Sequence, residues 1–240
     1  MKQTFFVTTG LLSCLLFSDS VFAYGFTLSE SEFRSWDERC KKAYSASQVG
    51  RSSGFFRPMT PKEHAEVMRF GEEAGGAWHY CAGVIWLQRA SGATGKQRDE
   101  NLKRAESELR FTYSRIKPEH PWYPEIHIDY AKAQYLLGNK MEAFSILNRL
   151  IGSHPINSLP YTALAYYLKR DGQLEQAINT LKAAPAVLLA ESAELNYFLG
   201  WYLMEAGKPE NAVPYAQKAY ALNYPAPALR QRLAAKGHSW

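Results

Sequence analysis

Cysteine is scarce in this chain of 240 residues: there are three, Cys14, Cys40 and Cys81. No Cys-x-x-Cys pair occurs, which excludes zinc-ribbon ligands, a thioredoxin-type dithiol and cytochrome-type haem attachment. Long apolar runs are missing after the first two dozen residues. The nearest approach, Ala183 to Ala190, is far too short to span a bilayer. Charge of one sign is not gathered into blocks either. The 28 Lys and Arg residues outnumber the 23 Asp and Glu, for a net charge of +5, but they are scattered among acids. Only Lys41-Lys42 and Arg230 to Arg232 come close to clustering, so the surface reads as solvated and basic, and nucleic acid is not an expected partner.

Catalytic signatures are equally thin. Gly92-Ala93-Thr94-Gly95-Lys96 has the look of a phosphate-binding loop, yet only two residues separate its glycines, Gln97 stands where Ser or Thr should meet magnesium, and no apolar strand precedes it. A loop between helices is the better reading. His79 and Cys81 point about 200° apart on a helix, so they cannot chelate one ion, and no second ligand pair lies at zinc spacing. No His-Glu-x-x-His helix occurs, and carboxylates such as Glu72-Glu73 and Asp99-Glu100 sit among charged neighbours. The sequence offers no positive case for an enzyme, a metal or a cofactor.

What is present begins with a leader. Lys2, the apolar Phe5 to Phe17 and the closing Val21-Phe22-Ala23 form the three regions of a secretory signal peptide cut after Ala23. Leu11-Leu12-Ser13-Cys14 is similar to a lipoprotein box, but the apolar run continues past Cys14 where a polar tether should begin, so cleavage before Tyr24 is the expectation. Leu28 to Ser45 carries Phe33, Trp36, Cys40 and Tyr44 at helical spacing, and Ser45 to Pro58 reads as a loop whose Phe55-Phe56 need a place to bury. Thr60-Pro61-Lys62-Glu63 combines a capping box with proline at the first helical position, so a helix starts there. Cys40 and Cys81 remain after leader removal. An even count in an oxidising compartment favours a bridge between them; the alternative is two buried thiols.

From Pro124 to about Pro225 a helix-turn-helix pattern recurs. Gly138, Gly172 and Gly207 lie 34 and 35 residues apart, and Glu142-Ala143, Gln176-Ala177 and Asn211-Ala212 follow at a constant offset. Counted from Pro124, Ser158 and Ala193, small residues recur at positions 8 and 20 (Ala131 with Ala143, Ala165 with Ala177, Gly200 with Ala212), where paired helices would cross most closely. Large apolar residues fill most of positions 4, 7, 11 and 24; His127, Gln134 and Asn196 depart from that rule. The pattern resembles the tetratricopeptide repeat, in an exported bacterial member of that family. Trp78, Cys81, Ala82 and Ile85 fit positions 4, 7, 8 and 11 of an earlier, degenerate unit, with an insertion at Ser91 to Asp99 and a second helix from about Glu100 to Ile116.

The resemblance implies an all-α fold: a right-handed α-solenoid of helix-turn-helix repeats with capping helices at both ends. The expected divisions are a signal peptide over 1–23, N-terminal capping helices and loop over 24–74, the degenerate repeat over 75–123, three repeats over 124–225, and a capping helix and tail over 226–240. In that family the first helices line a concave groove, with positions 2, 5, 9, 12 and 13 facing it. Carried over, these places put Ile128, Lys132, Tyr135, Tyr166, Lys169, Arg170, Tyr197 and Trp201 at the centre of a partner-binding surface, with Leu136, Thr162, Met204 and Glu205 beside them. Its cations suit an acid on the partner, and self-coverage by the Phe55-Phe56 loop or the C-terminal helix is the competing reading. The implied function is a scaffold or adaptor that holds a protein or peptide partner in the periplasm, in an assembly, export or maturation pathway. The alternatives are a carbohydrate-binding scaffold of polysaccharide export and an enzyme with a pocket in the first repeat.

Overall fold

The computed structural model describes residues 26–51, 53–73 and 75–239, apart from the side chain of residue 48. The leader, its cleavage point and Cys14 lie outside the described residues. Within them all regular structure is helical. Four short or loosely packed helices come first: α1 (Glu30–Ser35), α2 (Glu38–Ala46), α3 (Gln48–Arg51) and α4 (Pro61–Glu73). Antiparallel pairs follow: α5 (Ala77–Ser91) with α6 (Gly95–Tyr113), α7 (Tyr123–Leu136) with α8 (Lys140–Ser153), and α9 (Leu159–Arg170) with α10 (Leu174–Lys182). A one-turn helix, α11 (Ala186–Glu191), then leads into α12 (Ala193–Glu205), paired with α13 (Pro209–Ala221), and α14 (Ala228–Ala234) closes the array. Each pair packs on the next, so one continuous apolar core runs along the chain.

The repeat logic holds at the atomic level. Gly138, Gly172 and Gly207 end α7, α9 and α12 with φ of +92°, +80° and +72°, a conformation that glycine alone adopts at little cost. Ala131, Ala143, Ala165, Ala177 and Ala212 are fully buried. At Gly200 an added Cβ would stand 3.0 Å from Leu229 Cδ2 and 3.3 Å from the Ala212 carbonyl oxygen, so the crossing of α12 with α13 admits no side chain there.

The three departures from the repeat pattern are polar groups with partners. Asn196, 2% exposed, donates from Nδ2 to the Leu189 and Ser192 carbonyls at 2.8 and 2.9 Å. It thereby fastens α11, which exists because Pro185 has no N–H and cannot continue α10. Gln134 accepts from Asn139 Nδ2 at 2.7 Å across the turn between α7 and α8. His127 pairs its Nδ1 with the Tyr123 carbonyl at 2.8 Å and lies among the rings of Tyr113 and Tyr123.

The N-terminal third differs from the sequence expectation in three places. The single helix expected over Leu28 to Ser45 is two, broken at Trp36 and Asp37, where the extended Trp36 backbone drives its indole into the core and Asp37 caps α2 by accepting from Arg39 N at 2.8 Å. The expected ten-residue insertion at Ser91 to Asp99 is no loop. α6 starts at Gly95, because Lys96, Gln97, Arg98 and Glu100 are strong helix formers, and the connection shrinks to three residues. Phe55 finds cover by stacking on Phe33 at 4.6 Å, whereas Phe56 stays 46% exposed. The capping box at Thr60 forms as expected, with Thr60 N and Glu63 N donating to each other's side chains at 2.9 and 3.2 Å.

Cys40 and Cys81 are joined in a disulfide, with Cα atoms 5.6 Å apart. The bridge ties α2 to α5. A second clasp runs beside it: Arg89 of α5 donates to both carboxylate oxygens of Glu32 at 2.6 and 2.8 Å.

Candidate functional site

A helix pair that stacks on its neighbours turns the first helix of each pair to one side, and here α5, α7, α9 and α12 share that side. Between them lies an open cavity of about 430 Å³. Its wall follows the repeat. Position 6 supplies Tyr80, Asp129, Ala163 and Phe198, one from each pair. Position 2 supplies Glu125, Leu159 and Glu194, which lie one helical turn before position 6 and so on the same face. Ile128 and Thr162 come from position 5, and Tyr166 from position 9.

Three carboxylates therefore face an apolar floor. Asp129 accepts a hydrogen bond from the Tyr80 hydroxyl at 3.0 Å, and burial raises its pKa although nearby Lys132 opposes the shift. Burial and the Asp129 charge together push the Tyr80 phenol up, so it stays a donor at any physiological pH. Glu125 is 3.7 Å from the Arg39 guanidinium of α2. Among the described residues Glu194 makes no hydrogen bond and no ion pair through its carboxylate, and burial raises its pKa as well. Tyr167, only 6% exposed, also lines the cavity, and its hydroxyl has no hydrogen-bonding partner among the described residues.

The eight residues expected at the centre of the surface divide into two groups. Tyr166 is 46% exposed, Lys132 and Arg170 are exposed, and Ile128 is half-buried against the cavity. Tyr135 and Tyr197 belong instead to the core: Tyr135 packs on Tyr167 with ring centres 4.4 Å apart, and Tyr197 stacks on Tyr224 at 4.1 Å. Trp201 donates to Glu205 at 2.8 Å and is covered by the Arg232 guanidinium of α14, 4.6 Å from its ring. Lys169 pairs with the same Glu205 at 3.2 Å. The C-terminal helix thus covers Trp201 on α12, while the cavity lined by the three carboxylates stays open. Asp129, Phe198 and Tyr167 stand at places outside the sequence expectation, whereas Glu194 stands at position 2, one of the expected facing places. Position 6 was the available signal, since it sits between the facing positions 5 and 9 on one helix.

No protein-family model matches the chain, and no curated protein matches it. Solved structures of MamA do. The MamA RS-1 ArsTM double mutant is 19% identical over 64% of this chain and 82% of its own, with a TM-score of 0.44. MamA AMB-1 in a P212121 crystal is 17% identical over 79% of this chain and 100% of its own, with a TM-score of 0.43. MamA MSR-1 gives 15% identity, 77% and 94% coverage, and a TM-score of 0.44. The hairpins here are of the tetratricopeptide type on their own geometry: the recurring glycine caps, the small residues at the crossings and the shared face of the first helices.

Two further sequence patterns lack the surroundings that chemistry would require. Gly50-Arg51-Ser52-Ser53-Gly54 has the spacing of a nucleophile elbow, but it begins inside the helix α3 rather than after a strand, and Ser52 lies outside the described residues. His79 Nδ1 meets Glu108 at 2.6 Å, and its ring lies between Trp78 and Phe111. Among the described residues no group of three or more His, Cys, Asp or Glu side chains is placed to hold a metal ion. None of the described helices is long and apolar enough to cross a membrane.

Proposed function

We propose that this chain is a scaffold that holds a peptide segment of a protein partner in the groove formed by α5, α7, α9 and α12. The observation that carries the reading is the cavity itself: four successive pairs contribute to it, and the chain leaves Tyr166 open at its rim. A short stretch of peptide suits its mixture of apolar and polar wall. Tyr supplies rigid contact area at small entropic cost, so Tyr166 is the expected anchor contact. A sugar ligand is less well served, because Tyr135, Tyr197 and Trp201 stack within the chain and leave no row of open rings.

The setting we propose is the periplasm of a bacterium. The leader-like Met1 to Ala23 supports it, and so does the Cys40 to Cys81 disulfide, which persists in an oxidising compartment and is rare in a reducing one. An N-terminus at Tyr24 on the protein recovered from the periplasmic fraction is the expected result of mass spectrometry; a chain that retains residues 1 to 23 in the cytoplasm overturns the setting. The groove is tested by selecting displayed peptides on the mature protein and titrating them by calorimetry. Tyr166→Ala should weaken the selected peptides about five- to tenfold, equivalent to about 1 kcal/mol or more, with helix content unchanged. Equal affinity for Tyr166→Ala and for a Tyr166→Ala, Phe198→Ala double variant removes the groove as the site.

A further inference from the structure

We infer that the groove selects a partner segment by a basic side chain, a lysine or arginine that enters between Glu194 of α12 and Asp129 of α7. This inference rests on the groove reading above and names the chemistry of its ligand. Three observations lead to it. The Glu194 carboxylate lines the cavity with no hydrogen bond and no ion pair among the described residues. The Tyr167 side chain, more than nine-tenths buried, lines the same cavity, and its hydroxyl has no hydrogen-bonding partner among the described residues. Asp129, on the facing helix, has one of its oxygens engaged by Tyr80 and the other without a hydrogen bond.

Buried polar groups without partners are uncommon because each costs the free energy of its lost hydration. Around this opening two half-buried carboxylates and the Tyr167 hydroxyl leave acceptor sites open, and a donor with several N–H groups and a positive charge fills them together. The flanking rings fit the same ligand: Tyr166 and Phe198 border the cavity, and aromatic faces attract ammonium and guanidinium groups. The apolar floor of Ile128, Leu159 and Ala163 suits the methylene stem that carries the charge. Of the groove's cations Lys169 is held by Glu205, whereas Arg170 and Lys132, whose charge reaches Asp129, stay exposed.

The test uses the mature, oxidised protein and four fluorescein-labelled decapeptides that share a leucine- and phenylalanine-containing frame and differ at one central residue: lysine, arginine, norleucine or glutamate. Fluorescence anisotropy should show the lysine and arginine peptides binding at least tenfold more tightly than the norleucine peptide, and the glutamate peptide weakest. Glu194→Gln should remove most of that preference while leaving the norleucine affinity within about twofold; Asp129→Asn, which keeps the Tyr80 contact, should lower it further. Tyr167→Phe should cost the lysine peptide about threefold. If the norleucine or glutamate peptide binds as tightly as the lysine peptide while Tyr166→Ala weakens all four, the basic anchor is wrong and the groove stands. If none of the four binds, the groove reading falls with it.

Discussion

Tyr80 and Asp129, 49 residues apart, meet at 3.0 Å between hydroxyl and carboxylate, so the edge of the groove is also the seam between the first and second helix pairs. Tyr80→Phe removes the hydrogen bond that Asp129 accepts and leaves a buried carboxylate without it. Such a loss costs about 1 to 3 kcal/mol. Thermal unfolding followed by circular dichroism should show a drop of several degrees at neutral pH; an unchanged midpoint would mean that water replaces the phenol without cost.

The Cys40–Cys81 bridge closes a separation of 41 residues. In the chain-entropy picture a loop of that size stabilises by about 3 to 4 kcal/mol. Reduction, or the pair Cys40→Ser and Cys81→Ser, should therefore lower the melting temperature markedly while the spectrum of the folded state remains helical. An identical melting curve with and without reductant would show that the apolar contacts of α2 with α5 hold the N-terminal helices unaided.

Acid should act on the fold in two separate windows. His127, buried beside Tyr113 and Tyr123, is held down to about 4 from an ordinary 6.5, chiefly by desolvation, with His154 and Arg149 adding to the shift and the hydrogen bond to Tyr123 opposing it. The unfolded chain thus takes up this proton first. Stability linked to His127 is complete above about pH 6.5 and declines as the pH falls towards 4. Glu32 is lowered from 4.5 to about 2, first by its hydrogen bonds from Arg89. Its contribution, about 2 to 3 kcal/mol, is present above pH 4.5 and is lost between there and 2. Urea titrations over this range should show both declines. Arg89→Met should flatten the lower one and leave the upper one in place; loss of both together would point to a shared cause.

Replacing Asn196 with leucine restores the apolar residue that the repeat pattern favours at that place, and it should nevertheless destabilise. The amide is 2% exposed and holds the Leu189 and Ser192 carbonyls, so leucine leaves both without that donor and frees α11. A cost of about 1 to 3 kcal/mol is expected in denaturant titration. A gain in stability would show that α11 contributes nothing to the packing of α12.

Asn196 also marks the limit of what could be read from the sequence. The period, the glycine caps and the alanines at the crossings are local or nearly local facts, and each was legible because a 34-residue spacing repeats it. The rest depends on partners distant in the chain. Nothing near Asn196 announces a carbonyl seven residues back that lacks a donor, and nothing near Trp36 announces that α1 and α2 must break for its indole to reach the core. The groove was legible as a face but not in its detail. Tyr135 and Tyr197 sit at facing positions and turn inward onto Tyr167 and Tyr224, while Asp129 enters the cavity from position 6, beside the carboxylates of the expected position 2.

The clasp at the start of the chain gives the array a mechanical polarity. Among the described residues the disulfide and the Glu32–Arg89 pair both fasten α1 and α2 to α5, whereas α14 is held by Leu229, Leu233 and hydrogen bonds through Tyr220. A pull between the two ends therefore meets a riveted end and a peeling end. Under load α14 and the pair α12 and α13 should strip away first, and each later pair should release a further 34 or so residues, about 120 Å of extended chain. The first step removes Glu194 and Phe198 from the cavity, so tension would empty the groove while the riveted end is still folded.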